Sequence, residues 1–384
     1  MKHLQGAKGF EFIREPESFN KYTDKEFLQY CPGATMYMPA IKDFTEKILN
    51  RDMADLTTIV MCFEDACPED RVPEAEENVI GMLDRLHQAV ENGEIDYDDI
   101  PLIFCRVRSI DQFIHFSSML NADRVKMLAG FNFPKFNSKN GAEYLLQLKL
   151  LNETYEEVLY GMPILEDERV AFKESRMDEL RAIRSICNRY KDLILQIRVG
   201  ATDFSSCFGV RRGVDYSIYD ILPVREILSD ILNVFARGNS YVVSGPVWEY
   251  FRASKRMMFE ELPRMDVEDM LWRRNHIFND EVDGLIREVI LDKANGFVGR
   301  TVIHPTHVRF VNALQAVTEE AYNDALQILA AEDGVVKSES NNKMNEIRPH
   351  TRWAQKVVMR GRAYGVIRNE KSYIDLFKAG AQEQ

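Results

Sequence analysis

The chain has 384 residues, 45% hydrophobic and 10% aromatic, with 49 Lys+Arg against 61 Asp+Glu for a formal net charge of −12. That apolar content excludes a disordered chain, 20 Gly and 13 Pro exclude a collagen-like or low-complexity one, and the acidic balance argues against a general nucleic-acid partner. No uncharged apolar stretch approaches the ~18 residues of a membrane helix, and the opening MKHLQGAKGFEFIREPE lacks the apolar centre of a signal peptide, so the expectation is a soluble, cytoplasmic protein with no membrane partner.

Residues 1–31 read as an N-terminal extension. Short β-rich runs then recur at 34–38, 57–63, 101–107, 127–133, 161–165, 193–199, 241–243 and 297–303. Each is followed by polar or small residues and a stretch with helical spacing, as in 73–90, where Val79, Leu83, Leu86 and Val90 share a face. Strands alternating with helices build parallel sheets, and eight such units predict an α/β fold, a (β/α)8 TIM barrel over 32–306, with an open doubly wound sheet as the competitor. From 307 to 384 the pattern is a helical appendage: 308–329 keeps a helical period, 332–346 is a polar connection, and 353–364 reads as another helix. Cys31, Cys62, Cys67, Cys105, Cys187 and Cys207 form no Cys-x-x-Cys pair, which fits reduced core thiols rather than a disulfide framework or a zinc site.

In a barrel the reactive groups lie at the C-terminal strand ends. Here those ends carry Glu64-Asp65, Arg106-Val107-Arg108, Pro134-Lys135, Glu166-Asp167, Asp203 and His304-Pro305. A single charged residue at a strand end is ordinary, because strands end at solvent; six of eight are harder to dismiss. Carboxylates converging with arginines suit a hard divalent cation and an anionic substrate, since carboxylate oxygens bind Mg²⁺ with waters completing the octahedron and the planar guanidinium fork holds carboxylate or enolate oxygens.

Taken in order, these motifs resemble those of the aldolase and citrate lyase β-subunit superfamily. Met36-Tyr37-Met38-Pro39-Ala40 is similar to its first-strand run, and Phe63-Glu64-Asp65-Ala66-Cys67-Pro68 resembles Leu-Glu-Asp-Ala-Val-Pro. Arg106-Val107-Arg108-Ser109 stands where the superfamily has Arg-Val-Asn, Phe133-Pro134-Lys135 where it has Pro-Lys, and Pro163-Ile164-Leu165-Glu166-Asp167 where it has Ile-Glu-Thr. Gly200-Ala201-Thr202-Asp203 resembles Gly-Ala-Glu-Asp, and Gly299-Arg300-Thr301-Val302-Ile303-His304-Pro305 resembles Gly-Lys followed by Ile-His-Pro. The best fit is the branch of TIM-barrel carbon–carbon bond lyases associated with tellurium-resistance gene clusters.

The resemblance implies Mg²⁺ as cofactor, with Glu166 and Asp203 as direct ligands. It places Arg106 on the substrate carboxylate and developing enolate oxygen, Glu64 and Asp65 on metal-bound waters, and Lys135 in an electrostatic role beside the substrate. The implied reaction is retro-aldol or retro-Claisen cleavage of a 2-oxo or 3-hydroxy acid or its CoA thioester. Pro32-Gly33-Ala34-Thr35 lacks the Arg and small hydroxyl residue of CoA-using members, Asp167 replaces a Thr, and the interval from Glu166 to Asp203 is longer than in the bacterial lyases. Lys343-Met344-Asn345-Glu346 resembles the Gly-Lys-Met-Ile-Asp segment that caps a neighbour's active site. This implies a homo-oligomer, a trimer or hexamer, and makes Glu346 a candidate for proton transfer alongside Asp65 and a metal-bound water. A thioester hydrolase or synthase on the same residues and a catalytically silent scaffold or sensor barrel are the rival readings.

Other features weigh less. His304 and His307 flank Pro305 without a third soft ligand nearby, so His304 is expected to act as a hydrogen-bonding residue at the barrel mouth. Cys67 and Cys207 read as packing residues. Arg348, Arg352, Lys356, Arg360, Arg362, Arg368 and Lys371 reverse the local charge sign, suiting a phosphate, an acidic neighbour or a solvated face equally. Arg211 and Arg212 stand as candidates for holding a substrate anion, with a surface role equally open.

Overall fold

The computed structural model describes residues 1–251, 278–332, 334–337 and 344–379; Lys343 of the C-terminal motif lies outside them. Seven parallel strands curl around a common axis: β1 (Ala34–Pro39), β2 (Thr58–Cys62), β3 (Leu102–Arg106), β4 (Gly130–Phe133), β5 (Tyr160–Leu165), β6 (Arg198–Val199) and β7 (Arg300–Val302). Their order is β6-β5-β4-β3-β2-β1-β7. The expected stave at 241–243 is too short to count as a strand, yet it joins the two open edges. Ile197 pairs with Val243 on one side and Gly245 with Arg300 on the other, both parallel. Ser244 N donates to Ile197 O at 2.9 Å and Val298 N to Val243 O at 2.9 Å, so the ring closes through this segment as the (β/α)8 expectation requires.

The strands read as near-continuous apolar runs because both faces are covered, and every residue of β2 is buried. Helix Val72–Glu91 shows the outer layer: Pro73 stands at its first turn, and Ala75, Val79, Leu83 and Leu86 face the barrel. The run at 127–133 yields only β4, because Met127 belongs to helix Ala122–Met127.

The helical period at 308–329 is interrupted. Helix Pro305–Gln315 ends where Ala316 turns extended, Val317–Thr318 pairs in parallel with Val366–Ile367, and Thr318 caps helix Glu319–Ala330. The strand contact outweighs helical continuity here, because Val317 becomes buried in a small second core with Tyr322, Ala325, Ile328, Ala354 and Val357. Helix Ile347–Tyr364 crosses that core at Gly361, where a Cβ would lie 2.7 Å from the Tyr322 ring. The polar connection at 332–346 holds an antiparallel pair, Val335–Lys337 with Met344–Glu346. The N-terminal extension is tied to this unit: Arg14 pairs with Val366, Glu17 with Arg362 at 2.9 Å, and His3 stacks on Tyr364 at 4.4 Å. Of the basic residues, Arg362 joins Glu17, Arg360 donates to Gln315 O and Lys356 to Gly296 O, whereas Arg352, Arg368 and Lys371 are exposed.

Candidate active site

Strand register builds the cluster. Pro39, Cys62, Arg106 and Asn132 stand side by side on β1 to β4, which sets Arg106 against the end of β2. Its guanidinium donates to Cys62 Sγ from Nε at 3.2 Å and from Nη2 at 3.1 Å, and to Asp65 Oδ2 at 3.0 Å. Nη1 lies 3.3 Å from Glu64 Oε2, and the Tyr37 ring centre is 5.3 Å from the guanidinium carbon. Burial works against this charge, but Cys62, Glu64, Tyr37 and Asp65 outweigh it and hold Arg106 protonated well above its usual range. Arg106 is therefore a fixed cation with a preset direction.

Lys135 follows β4 with φ +45°. That turn aims its amide at Glu166 Oε1, 2.9 Å away, while Nζ pairs with Glu64. Burial lowers the Lys135 pKa, yet Glu64, Glu166 and Asp203 raise it on balance. Glu166 leaves the end of β5 and is 6% exposed. The absence of a side chain at Gly200 makes this possible, since a Cβ there would sit 2.2 Å from Glu166 Oε2. Asp203 enters from the first turn of helix Ala201–Cys207. Burial first, then Asp203, push the Glu166 carboxyl from 4.5 to about 8, with the Lys135 amide opposing. Asp203 is raised as well, by burial and by Asp65, against Lys135 and Arg106.

Two adjacent carboxylates that both resist ionisation are what a hard cation stabilises. Among the described residues no group of three or more His, Cys, Asp or Glu converges on one point. A pair of carboxylates nevertheless suits Mg²⁺, which keeps several waters and takes one or two protein oxygens. Glu64 and Asp65, turned toward Arg106, stand where they could order such waters.

Residues 26–366 match the family of carbon–carbon bond lyases of the TIM-barrel fold. The chain belongs to this family. Among solved structures it is similar to the CitE protein of Mycobacterium tuberculosis in complex with magnesium, acetoacetate and coenzyme A, at 18% identity and TM-score 0.51 over 86% of this chain and 98% of that one. It is also similar to a lead(II) complex of Haloferax volcanii malate synthase, at 13% identity and TM-score 0.50 over 73% of this chain and 71% of that one. No curated protein matches the sequence. No described helix is long and apolar enough to cross a membrane.

Within this member of the family, Glu64, Asp65, Arg106, Lys135, Glu166 and Asp203 come together. Arg212 does not join them as an anion holder. Arg212 is 3% exposed, its Nη2 is 2.7 Å from Glu249 Oε2 and from Val247 O, and Nη1 pairs with Glu288, so its charge is already neutralised inside the protein. Arg211 is exposed and lines a cleft with Thr202, Ser205, Arg212 and Glu249. Glu346 ends the C-terminal strand pair, is exposed, and makes no contact with the cluster of its own chain among the described residues. Asp167 caps the short helix Glu168–Ala171 and is held by Arg169 and Asn137, which makes it a turn residue.

His304 caps helix Pro305–Gln315 and stacks on Phe251 at 4.5 Å. Cys67 is buried and Cys207 exposed. Three contributors were given no site role from the sequence: Tyr37, inside β1; Cys62, the last residue of β2 and in register with Arg106; and Gly200, directly after β6.

Proposed function

We propose that this lyase is Mg²⁺-dependent and opens or forms a carbon–carbon bond adjacent to the carbonyl or carboxyl carbon of a 2-oxo or 3-hydroxy acid, or of its thioester. The observation that carries the reading is the Glu166–Asp203 pair, two carboxyls held together against their own ionisation beside a guanidinium that cannot lose its charge. The CitE protein binds magnesium, the 3-oxo acid acetoacetate and coenzyme A in its complex, which supports the same class of ligand here.

Glu166 and Asp203 would hold Mg²⁺. When bound, the metal would polarise the substrate oxygens and accept negative charge as the bond opens. Arg106 would hold the substrate carboxylate and face the oxygen that becomes an enolate. Its contacts to Cys62 and Asp65 fix the fork in advance, so little reorganisation opposes the step. No lysine need form a Schiff base: Lys135 is engaged in an ion pair with Glu64. Asp65, whose side chain is 68% exposed, would receive or return the substrate proton. Glu346 would serve the site of a neighbouring copy in a homo-oligomer, a trimer or hexamer.

The test is thermal melting of EDTA-treated protein across a Mg²⁺ titration, repeated with oxaloacetate, pyruvate, glyoxylate and acetyl-CoA added singly. A metal-dependent rise extended by one of these acids supports the reading through binding linkage. A folded protein that responds to neither metal nor acid overturns it in favour of a silent scaffold.

A further inference from the structure

Beneath the carboxylate cluster the barrel interior holds a second guanidinium. Arg198 projects inward from β6 and is 1% exposed. Its partners are neutral: Thr301 Oγ1 at 2.7 Å, Thr35 Oγ1 at 3.2 Å and Gln196 Oε1 at 3.3 Å. Among the described residues no carboxylate pairs with it, and Nε has no hydrogen-bond partner. Burial pushes its pKa down, with only the Tyr37 phenol opposing. Both guanidiniums lie near the Tyr37 ring centre, that of Arg198 at 5.8 Å and that of Arg106 at 5.3 Å, so Arg198 adjoins the site. Close by, Asn132 Nδ2 donates to Tyr37 Oη at 2.6 Å while the buried Asn132 Oδ1 accepts nothing.

A guanidinium removed from water without a counter-ion is costly to the fold. The buried arginines 212 and 300 of this same chain are paired with Glu249, Glu288 and Asp292. Arg198 has no carboxylate partner among the described residues, and it stands one layer below the residues proposed to bind substrate. We propose that Arg198 is a specificity-determining residue that takes a second anionic group of the substrate, the distal carboxylate of a dicarboxylic acid, with Tyr37 near both anion-holding arginines. This rests on the Mg²⁺-lyase reading and narrows its substrate class.

The test compares wild-type protein with Arg198→Met and Arg198→Lys by calorimetric titration in Mg²⁺, using oxaloacetate and 2-oxoglutarate against pyruvate and 2-oxobutyrate. In the wild type the dicarboxylates bind about tenfold tighter or more, one decade being about 1.4 kcal/mol. Arg198→Met brings that ratio close to one, and Arg198→Lys restores part of it. Urea denaturation without ligand supplies a second readout: if Arg198 is retained for an anion, Arg198→Met is at least as stable as the wild type. A wild type that binds the 2-oxo monoacids with no dicarboxylate preference, or a preference that survives Arg198→Met, overturns the assignment and leaves the lyase reading standing. Destabilisation by Arg198→Met with the ratio intact overturns it in favour of a structural arginine. A folded wild type that binds none of the four acids in Mg²⁺ overturns both.

Discussion

Replacing Glu166 with glutamine removes one charge from the carboxylate pair while keeping its shape and an oxygen to accept the Lys135 amide. The folded wild type holds the Glu166 proton up to about pH 8, against 4.5 for an ordinary glutamate. Between those values the folded state binds a proton that the unfolded chain has released, so metal-free stability falls as pH rises, by about 1.4 kcal/mol per unit. The accumulated loss approaches about 4 kcal/mol near pH 8 as an upper bound. Glu166→Gln lacks this slope. Asp292, pushed up to about 7 mainly by burial, adds a slope of the same sign between 3.8 and 7, but it does so in both proteins and cancels in the comparison. Urea denaturation of EDTA-treated wild type and variant, from pH 5 to pH 8.5 and with or without Mg²⁺, measures the difference. The variant should gain on the wild type as pH rises, and Mg²⁺ should restore the wild type at high pH while stabilising the variant far less. Parallel pH curves would refute the buried, charge-resisting Glu166; equal Mg²⁺ stabilisation of both proteins would refute its role as a ligand.

Three further outcomes are expected. Gly200→Ala forces its new methyl onto Glu166, at 2.2 Å from Oε2 and 2.5 Å from Cβ; the protein should fold with a loss of roughly 1–3 kcal/mol and show a weakened Mg²⁺ response in thermal melts. Arg106→Ala should lower turnover of an identified substrate at least about a hundredfold while leaving the fold intact by circular dichroism, and near-normal turnover would remove Arg106 from the reaction. Glu288→Ala leaves Arg212 and Arg300 short of a buried partner and should cost roughly 3–5 kcal/mol in urea denaturation, a change under about 1 kcal/mol being incompatible with that network.

The barrel was legible because its signal is local. A parallel strand buried on both faces must be apolar along its length, and the helix after it must carry a 3.6-residue stripe, so the alternation shows in any window of the chain. The charged residues ending β2 to β6 were legible for the same reason, since strand direction sends those ends to one mouth. What escaped depends on partners distant in sequence. The run at 241–243 was legible as a stave, but its joining the ring through single bridges to Ile197 and Arg300 was not; the break at Ala316 answers to a pairing with Val366 and Ile367, and no window holds both sides of either contact. Arg212 looked like a free cation beside Asp203, and only the tertiary structure brings Glu249 and Glu288 to it. Arg198 lies in the run at 193–199, and only the closed ring shows it buried with no opposing carboxylate among the described residues. The sequence alone determined which chemistry collects at the barrel mouth. Tertiary structure decided which charges there are already neutralised and which remain to meet a ligand, because ion pairing is settled by distance and burial rather than by position along the chain.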